Sequence, residues 1–218
     1  MPAHALFPSP VILSYVDHEQ AKDAGLGEPG DPFTYAVNYI SMVEHVGTHV
    51  DAPLHLGAGR AAIDEMPLDW FTGRAVCLDL RHVPDLGDIE ADDLERAELE
   101  AGVAISGHIV LLCTGFHARH WPSRNFLTSN PGLTAAATHW LADRNSRAHG
   151  VEGPSTDKAG TSNFPSHRAC RDRSIIHYEW LVNLERLIGK GEFQFTGYPL
   201  KWEGGTGSPV RAIAELPW

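Results

Sequence analysis

Three histidines and one aspartate fall within a single stretch of eleven residues, from His45 to His55. The stretch reads His-Val-Gly-Thr-His-Val-Asp-Ala-Pro-Leu-His. Neutral imidazole and carboxylate are the usual ligands of zinc and other divalent transition metals in proteins. A single histidine or aspartate in a loop is normally solvated or caps a helix, but four ligand-type residues this close together favour a metal site over chance clustering. The stretch therefore predicts a metal centre.

The local chain must hold these four side chains together without a helix. Gly47 costs roughly 1 kcal/mol inside a helix and Pro53 lacks an amide donor, so a helix is disfavoured. Residues 35–42 alternate like a strand, which places the stretch where a strand ends and a loop begins. In an extended chain His49 and Asp51 point to the same side, and Gly47 gives the backbone freedom to bring the first histidine to the same ion.

The stretch fits the pattern His-x-Gly-Thr-His-x-Asp-x-Pro-x-His at every fixed position. This pattern resembles that of the cyclase-like metal-dependent hydrolases, a family that includes bacterial kynurenine formamidase, isatin hydrolase and metal-dependent dienelactone hydrolase. The family also has a Pro-x-His ahead of a glutamate that precedes an Asn-Leu segment. This chain has Pro-Ser-His ending at His167, followed by Glu179 and then by an Asn-Leu pair. The resemblance runs from about residue 35 to residue 214.

The resemblance implies which residues hold the metal and which move protons. The implied metal ligands are His45, His49, Asp51, His167 and Glu179. The ordinary pKa of histidine suits His55 to act as the acid or base. Glu179 is a second catalytic candidate, because this glutamate carries protons in family members that hold one metal. Asp51 would bridge two ions where two are bound, and Asp157 matches a recurring acidic position ahead of His167.

The implied cofactor is a divalent metal ion, zinc or manganese, with one or two ions per chain. The nitrogen and oxygen donors suit both metals, and the set contains no thiolate. The sequence identifies no substrate-binding residue. A glycine-rich segment near the end of the chain, Gly-Gly-Thr-Gly-Ser-Pro, is also typical of the family. It is either a turn with exposed amides beside the pocket or an ordinary hairpin turn.

Composition limits the classes of partner. The chain has 218 residues, 43% of them hydrophobic, and a formal net charge of -11. The negative charge argues against nucleic acid or an anionic membrane as a partner. The three widely spaced cysteines form no CxxC motif, no signal peptide is visible, and no apolar run approaches the ~20 residues of a membrane helix. We therefore expect a reduced, cytoplasmic protein; a small-molecule substrate is what the resemblance implies.

The expected fold class is α/β, or α+β with a mixed sheet. The resemblance implies a cyclase-like β/β/α arrangement. The length favours a single domain over residues 1–218, in which residues 1–34 form an irregular N-terminal segment with a short strand candidate at residues 11–13. Buried strands are predicted at residues 74–80 and 109–113, helices at 89–99 and 133–144, and two strands at 193–216. The Asp-Leu-Ser-type strand with which family members usually begin is not found, and we expect the chain to start just after it.

The leading functional hypothesis is a metal-dependent hydrolase of a small carbonyl substrate. The resemblance implies an arylformamide such as N-formylkynurenine, a cyclic amide or a lactone as the substrate. The alternative is a metal-holding protein of the same fold that binds a small molecule without turnover. The presence of His55 beside the ligands favours the enzyme. Because the family commonly forms dimers or tetramers, a homo-oligomer is expected.

Overall fold

The computed structural model describes residues 7–25, 30 and 32–217. Its contacts divide the chain into two compact units, Met1–Val43 and Glu44–Trp218, which are described separately. The strands are β1 (Val11–Val16), β2 (Val37–Ser41), β3 (His49–Asp51), β4 (Thr72–Asp79), β5 (Asp88–Ile89), β6 (Ile109–Cys113), β7 (Gly132–Leu133), β8 (Ala148–Val151), β9 (Ile176–Glu179), β10 (Phe193–Thr196), β11 (Gly207–Pro209) and β12 (Ile213–Glu215). The α-helices are α1 (His18–Asp23), α2 (Pro53–Leu56), α3 (Ala91–Ala101), α4 (Phe116–His120), α5 (Ala135–Asp143) and α6 (Pro165–Arg173).

The first unit contains an antiparallel pair of strands, β1 and β2, in which Val11 lies opposite Ser41. Within residues 1–34, where the structure describes them, β1 contains the strand candidate at residues 11–13, and α1 is a helix that was not predicted. Helix α1 begins there because Asp17 and Gln20 form a capping box. The Asp17 carboxylate accepts from the Gln20 amide, and the Gln20 side chain accepts from the Asp17 amide.

The second unit is built on a mixed sheet that has eight strands among the described residues, in the order β11-β3-β9-β8-β6-β4-β10-β12. Strands β9, β8, β6 and β4 pair in parallel, and antiparallel strands flank them on both sides. The predicted α/β class with a mixed sheet is confirmed. A further parallel pair, β5 with β7, is separate from this sheet.

Each face of the sheet contributes to a different core, and the period of two along the strands decides which residue goes where. On β6, Ile109 and Leu111 belong to one cluster, while Val110 and Leu112 belong to the other. The second cluster includes buried side chains from α3, α5 and α6, which cover that face. In the first cluster Tyr178 of β9 meets Phe195 of β10 with ring centroids 5.0 Å apart, so the sheet curls around this core.

The predicted core strands and helices are present with shifted ends. The helix predicted at residues 89–99 is α3, which begins two residues later, where the Asp93 carboxylate accepts from the Glu90 amide at 3.0 Å. It ends before Gly102, which is in a left-handed conformation. The tail predicted as two strands forms three short ones, β10, β11 and β12. No described helix has both the length and the apolar content needed to cross a membrane.

Candidate metal centre

Two neighbouring antiparallel strands, β3 and β9, present four ligand-type side chains side by side. His49 lies directly opposite Glu179, and Val50 lies opposite Tyr178. The same register brings Asp51 next to His177, and the period of two puts all four polar side chains on one face of the sheet. All four are buried, with His49 and Asp51 each 2% exposed. Sheet pairing therefore assembles most of the centre.

The loop before β3 carries His45 to the same point. Gly47 has a φ of 62°, a left-handed conformation that glycine adopts without strain, so the chain turns back sharply there. The Nδ1 atom of His45 then donates to the Asp51 carboxylate at 2.7 Å, while Nε2 lies 3.0 Å from the Thr206 hydroxyl. The glycine-rich segment allows this approach, because a Cβ on Gly207 would lie 2.7 Å from the His45 ring.

Helix α6 supplies a further imidazole from the opposite side. It begins at Pro165, whose missing amide proton is not needed in the first helical turn. The Asp157 carboxylate accepts from the Ser166 amide at 2.6 Å and from Nδ1 of His167. Asp157 therefore fixes the ring so that Nε2 of His167 points toward Asp51 and Glu179. An imidazole held by a carboxylate in this way is a common arrangement for a metal ligand.

The side chains converge around two carboxylates. Asp51 Oδ1 lies 3.3 Å from Nε2 of His49, and Asp51 Oδ2 lies 3.0 Å from Nε2 of His177. Glu179 Oε2 lies 3.5 Å from Nε2 of His49, while Glu179 Oε1 lies 3.4 Å from Nε2 of His177 and 3.8 Å from Nε2 of His167. One ligand atom from each of Asp51, His167, His177 and Glu179 lies within 4.8 Å of the others.

Within this cluster the carboxylates and the imidazoles shift one another's pKa toward their charged forms. Burial alone would raise the pKa of Asp51, but the His177 ring and the other imidazoles hold it well below its ordinary range. Burial lowers the pKa of His49, yet the Asp51 and Glu179 carboxylates outweigh it and raise the pKa above its ordinary value. Burial likewise opposes the positive form of His177, and Asp51 raises its pKa well above the ordinary value. The two carboxylates thus attract positive charge into a buried site.

The residues present fit a divalent metal ion. Nδ1 of His49 donates to the Gly47 carbonyl at 2.9 Å, which leaves Nε2 to face the carboxylates. Both ring nitrogens of His177 are buried without a hydrogen-bond partner among the residues that the structure describes. Lone pairs and carboxylate oxygens repel one another unless a proton or a metal ion lies between them. The nitrogen and oxygen donors suit zinc or manganese.

The structure brings all six predicted site residues together. Asp51 lies at the middle of the group, and His55 lies at its edge with a side chain that is 34% exposed. Nε2 of His55 is 3.6 Å from Asp51 Oδ2, and its ring centroid is 4.2 Å from that of His45. Burial lowers the pKa of His55, and the neighbouring histidines add to this effect against the pull of Asp51. His55 is therefore held toward its neutral form.

His177 is a member of the centre that was not predicted from the sequence. A lone histidine in a strand carries little signal, but His177 is two residues before Glu179 in a segment that alternates, and that spacing places both on one face. Two other histidines, His117 and His120, lie outside the centre. Nε2 of His120 donates to Asp85 at 2.6 Å. His117 stacks on Trp121 with centroids 5.6 Å apart.

The chain is similar in sequence to two proteins of known function. The chain is 32% identical over 186 residues to a kynurenine formamidase from Polaromonas naphthalenivorans, covering 85% of this chain and 76% of that protein. It is 30% identical over 212 residues to an isatin hydrolase from Roseibium aggregatum, covering 85% of this chain and 76% of that protein. These relatives are hydrolases.

A solved structure and a family model support the same fold and family. The crystal structure of an isatin hydrolase bound to the product analogue thioisatinate superposes with a TM-score of 0.81 at 27% identity, covering 97% of this chain and 83% of that one. The model of the family described as putative cyclase matches residues 2–158. The resemblance indicated by the histidine motif is confirmed: this chain belongs to the putative cyclase family.

Proposed function

We propose that this chain is a metal-dependent hydrolase that cleaves the carbon–nitrogen bond of a small aromatic amide. The observation that carries the proposal is the convergence of imidazole nitrogens on the Asp51 and Glu179 carboxylates, with His55 at the edge of the cluster. Relatives named kynurenine formamidase and isatin hydrolase support amide hydrolysis as the reaction class. A lactone remains a second type of substrate bond for the same chemistry.

The chain's own residues divide the work between holding the ion and moving protons. We assign His45, His49, Asp51, His167 and Glu179 to holding one or two ions of zinc or manganese. A bound divalent ion would polarise the substrate carbonyl and lower the pKa of water. Glu179 is 5% exposed, and its Oε1 accepts from the Thr156 amide at 2.9 Å. This anchoring supports a ligand role for Glu179 ahead of a proton-carrying role.

His55 is the residue best placed to carry the proton. Its ring is partly exposed and borders a pocket, whereas the imidazoles around Asp51 are more deeply buried. A neutral imidazole there accepts a proton from the attacking water and returns it to the nitrogen of the leaving group. The lowered pKa of His55 supports the neutral form that this role requires at neutral pH.

The pocket beside His55 indicates the chemistry of the substrate. It has a volume of about 270 Å³ and is lined by His55, Leu56, Phe164, His167, Arg168 and Arg171. The apolar side chains suit an aromatic ring, and the Arg168 guanidinium suits a carboxylate, while Arg171 pairs through Nε with Asp172 at 2.8 Å. An arylformamide that carries a carboxylate, such as N-formylkynurenine, and a cyclic amide that releases one on ring opening both match this lining.

A direct test is hydrolysis by the purified protein supplied with zinc or manganese. We expect turnover of at least one of N-formylkynurenine, isatin and a dienelactone, and no turnover by the Asp51→Asn variant on the same substrate. If metal-loaded wild-type protein cleaved none of the three, the alternative of a metal-holding protein that binds without turnover would replace the hydrolase proposal.

We further propose that the protein works as a cytoplasmic homo-oligomer, a dimer or a tetramer. The strands β1 and β2 expose apolar side chains, including Ile12 at 65%, Tyr15 at 73% and Tyr39 at 57%, which supports burial against another chain. The three free cysteines are buried and fit a reducing compartment. Light scattering should give a mass of at least two chains, and a double substitution, Ile12→Ser with Tyr39→Ser, should reduce it to one. A monomeric wild-type protein would contradict the proposal.

A further inference from the structure

His177 of strand β9 is a buried histidine whose ring faces two carboxylates, and apolar packing alone does not explain that position. The side chain is fully buried, and neither ring nitrogen has a hydrogen-bond partner among the described residues. Nε2 nevertheless points at carboxylate oxygens, 3.0 Å from Asp51 Oδ2 and 3.4 Å from Glu179 Oε1. A buried imidazole that faces two carboxylates without a hydrogen bond to either is a cation paired with them or a ligand of a shared metal ion, so this ring requires an explanation.

The two carboxylates divide their oxygens between two sides of the centre. Asp51 Oδ1 and Glu179 Oε2 face His49, at 3.3 Å and 3.5 Å from its Nε2. Asp51 Oδ2 and Glu179 Oε1 face His177, and they also face His167, whose Nε2 lies 3.9 Å and 3.8 Å away. One oxygen of each carboxylate is therefore available to each side.

Each side presents donors at separations that suit a small divalent cation. Bonds of about 2.0–2.1 Å in a tetrahedral zinc site place neighbouring ligand atoms roughly 3.3 Å apart. The contacts of His177 with the two carboxylates, at 3.0 Å and 3.4 Å, bracket that separation. The contacts of His167 are longer by about half an ångström, within what a side-chain rotation changes.

We propose that His177 is a metal ligand and completes a second cation position together with His167, Asp51 Oδ2 and Glu179 Oε1. The first position is then held by His49 and the other two carboxylate oxygens, with His45 next to it. This inference rests on the proposed metal-dependent function and deepens it, because it adds to the second position a ligand that lies outside the histidine motif. Two imidazoles and two carboxylates at the second position favour Zn²⁺, Co²⁺ or Mn²⁺ over Ca²⁺ or Mg²⁺.

The competing explanation is that His177 is a cationic partner for the two carboxylates and binds no metal. The two explanations predict opposite effects of removing the ring. Loss of a ligand weakens binding of the second ion, whereas loss of a positive charge beside two carboxylates strengthens cation binding. A metal titration therefore separates them without any measurement of activity.

The experiment measures zinc bound per chain for wild-type protein, His177→Leu and His149→Leu after equilibration at fixed free Zn²⁺. His149 is the matched control: it is fully buried on the adjacent strand and stacks on His177 with centroids 5.5 Å apart, but its Nε2 bonds to Thr156. We expect two ions for wild type and for His149→Leu, and one ion for His177→Leu. The affinity for the second ion should fall by more than about 100-fold, the upper end of what outer partners of a metal ligand contribute.

A second variant protects the test against loss of folding in His177→Leu. His177→Cys loaded with Co²⁺ should show a thiolate-to-cobalt charge-transfer absorption band that cobalt-loaded wild-type protein, which has the Cys170 thiol beside His177, does not show. Two ions in His177→Leu, tighter binding of the second ion, or a cobalt-loaded His177→Cys protein without that band would overturn the inference. One ion in wild-type protein would also overturn it and leave the proposed function standing, whereas no bound metal in wild type would remove both.

Discussion

Asp51 and Glu152 are both buried carboxylates at strand ends, Asp51 at the end of β3 and Glu152 directly after β8, yet their surroundings are opposite. Asp51 faces imidazole nitrogens. Glu152 Oε2 accepts from the Thr114 amide at 2.7 Å, from the Thr114 hydroxyl at 2.8 Å and from the Phe116 amide at 3.2 Å. The neighbouring ligand-type groups of Glu152 are Cys113 and Glu185.

The pKa shifts of the two carboxyl groups follow from these surroundings. Imidazoles hold the pKa of Asp51 well below its ordinary range despite its burial. Burial raises the pKa of Glu152 above its ordinary value of 4.5, and the nearby Glu185 carboxylate adds to the rise against the Thr114 hydrogen bonds. Asp51 is therefore poised to share a cation, while Glu152 is poised to keep a proton. A buried carboxylate alone does not mark a metal site; the histidines around it do.

The substitution Asp51→Asn tests this difference with the largest expected effect. It keeps the shape of the side chain but removes the charge that faces the imidazoles, so the metal should be lost. Because a bound metal contributes several kcal/mol to such reactions, we expect amide hydrolysis to fall by about 10³-fold or more. Metal content by elemental analysis and the hydrolysis rate measure the two effects. An active Asp51→Asn variant with its metal retained would contradict the role of Asp51.

The substitution His55→Ala separates proton transfer from metal binding within the same region. We expect the variant to keep its metal, because His55 lies at the edge of the cluster, and to lose about 10²–10⁴-fold in kcat, the usual contribution of a general acid or base. Elemental analysis serves as the control. Unchanged turnover would show that another group carries the proton.

The substitution Asp157→Asn tests how much the support of His167 contributes. Removing the charge that orients the ring should weaken metal binding by roughly 10–100-fold, with the fold retained. Asp143→Asn is the control, since Asp143 is an exposed carboxylate that pairs with Arg173 on the surface. Metal affinity measured with a competing chelator should separate the two variants. Equal affinities would contradict the positioning role of Asp157.

The substitution Glu152→Gln should have the smallest effect and completes the comparison with Asp51→Asn. We expect metal content and activity to stay unchanged, and stability at pH 4.5 to lie within about 1 kcal/mol of wild type. The raised pKa means that folded protein holds the Glu152 proton more tightly than unfolded protein. Its stabilising contribution is therefore complete below pH 4.5 and is lost as the pH rises through the folded-state pKa.

Unfolding by denaturant between pH 4.5 and 8 measures this pH dependence. Wild-type protein should lose stability relative to Glu152→Gln as the pH rises, and the metal content of both should stay equal. Loss of metal from Glu152→Gln would show that the second carboxylate region also binds a cation.

The first half of the centre could be predicted because it lies in one continuous stretch. His45, His49, Asp51 and His55 are close in sequence, so a turn at Gly47 and a short strand suffice to bring them together. The other half depends on the pairing of β9 with β3, which joins residues about 130 positions apart. No local pattern reports such a pairing, so the interpretation of His167 and Glu179 depended on the family resemblance, and His177, which lies outside the motif, was missed.

The fold shows the same division. The buried strands β4 and β6 and the helix α5 follow from continuous apolar runs and helical spacing, and they were predicted close to their observed ends. The short strands β3, β11 and β12 are too brief to carry a pattern, and pairing with their neighbours makes them strands. Helix α1 was missed because its signal is a capping box in a segment rich in glycine and proline.

The most direct test of the central claim is the rate of amide hydrolysis as zinc or manganese is returned to metal-depleted protein, with bound metal per chain recorded at each step. We predict no turnover without metal and a rate that rises in proportion to bound metal until the site is filled. A rate that is the same with and without bound metal would contradict the account.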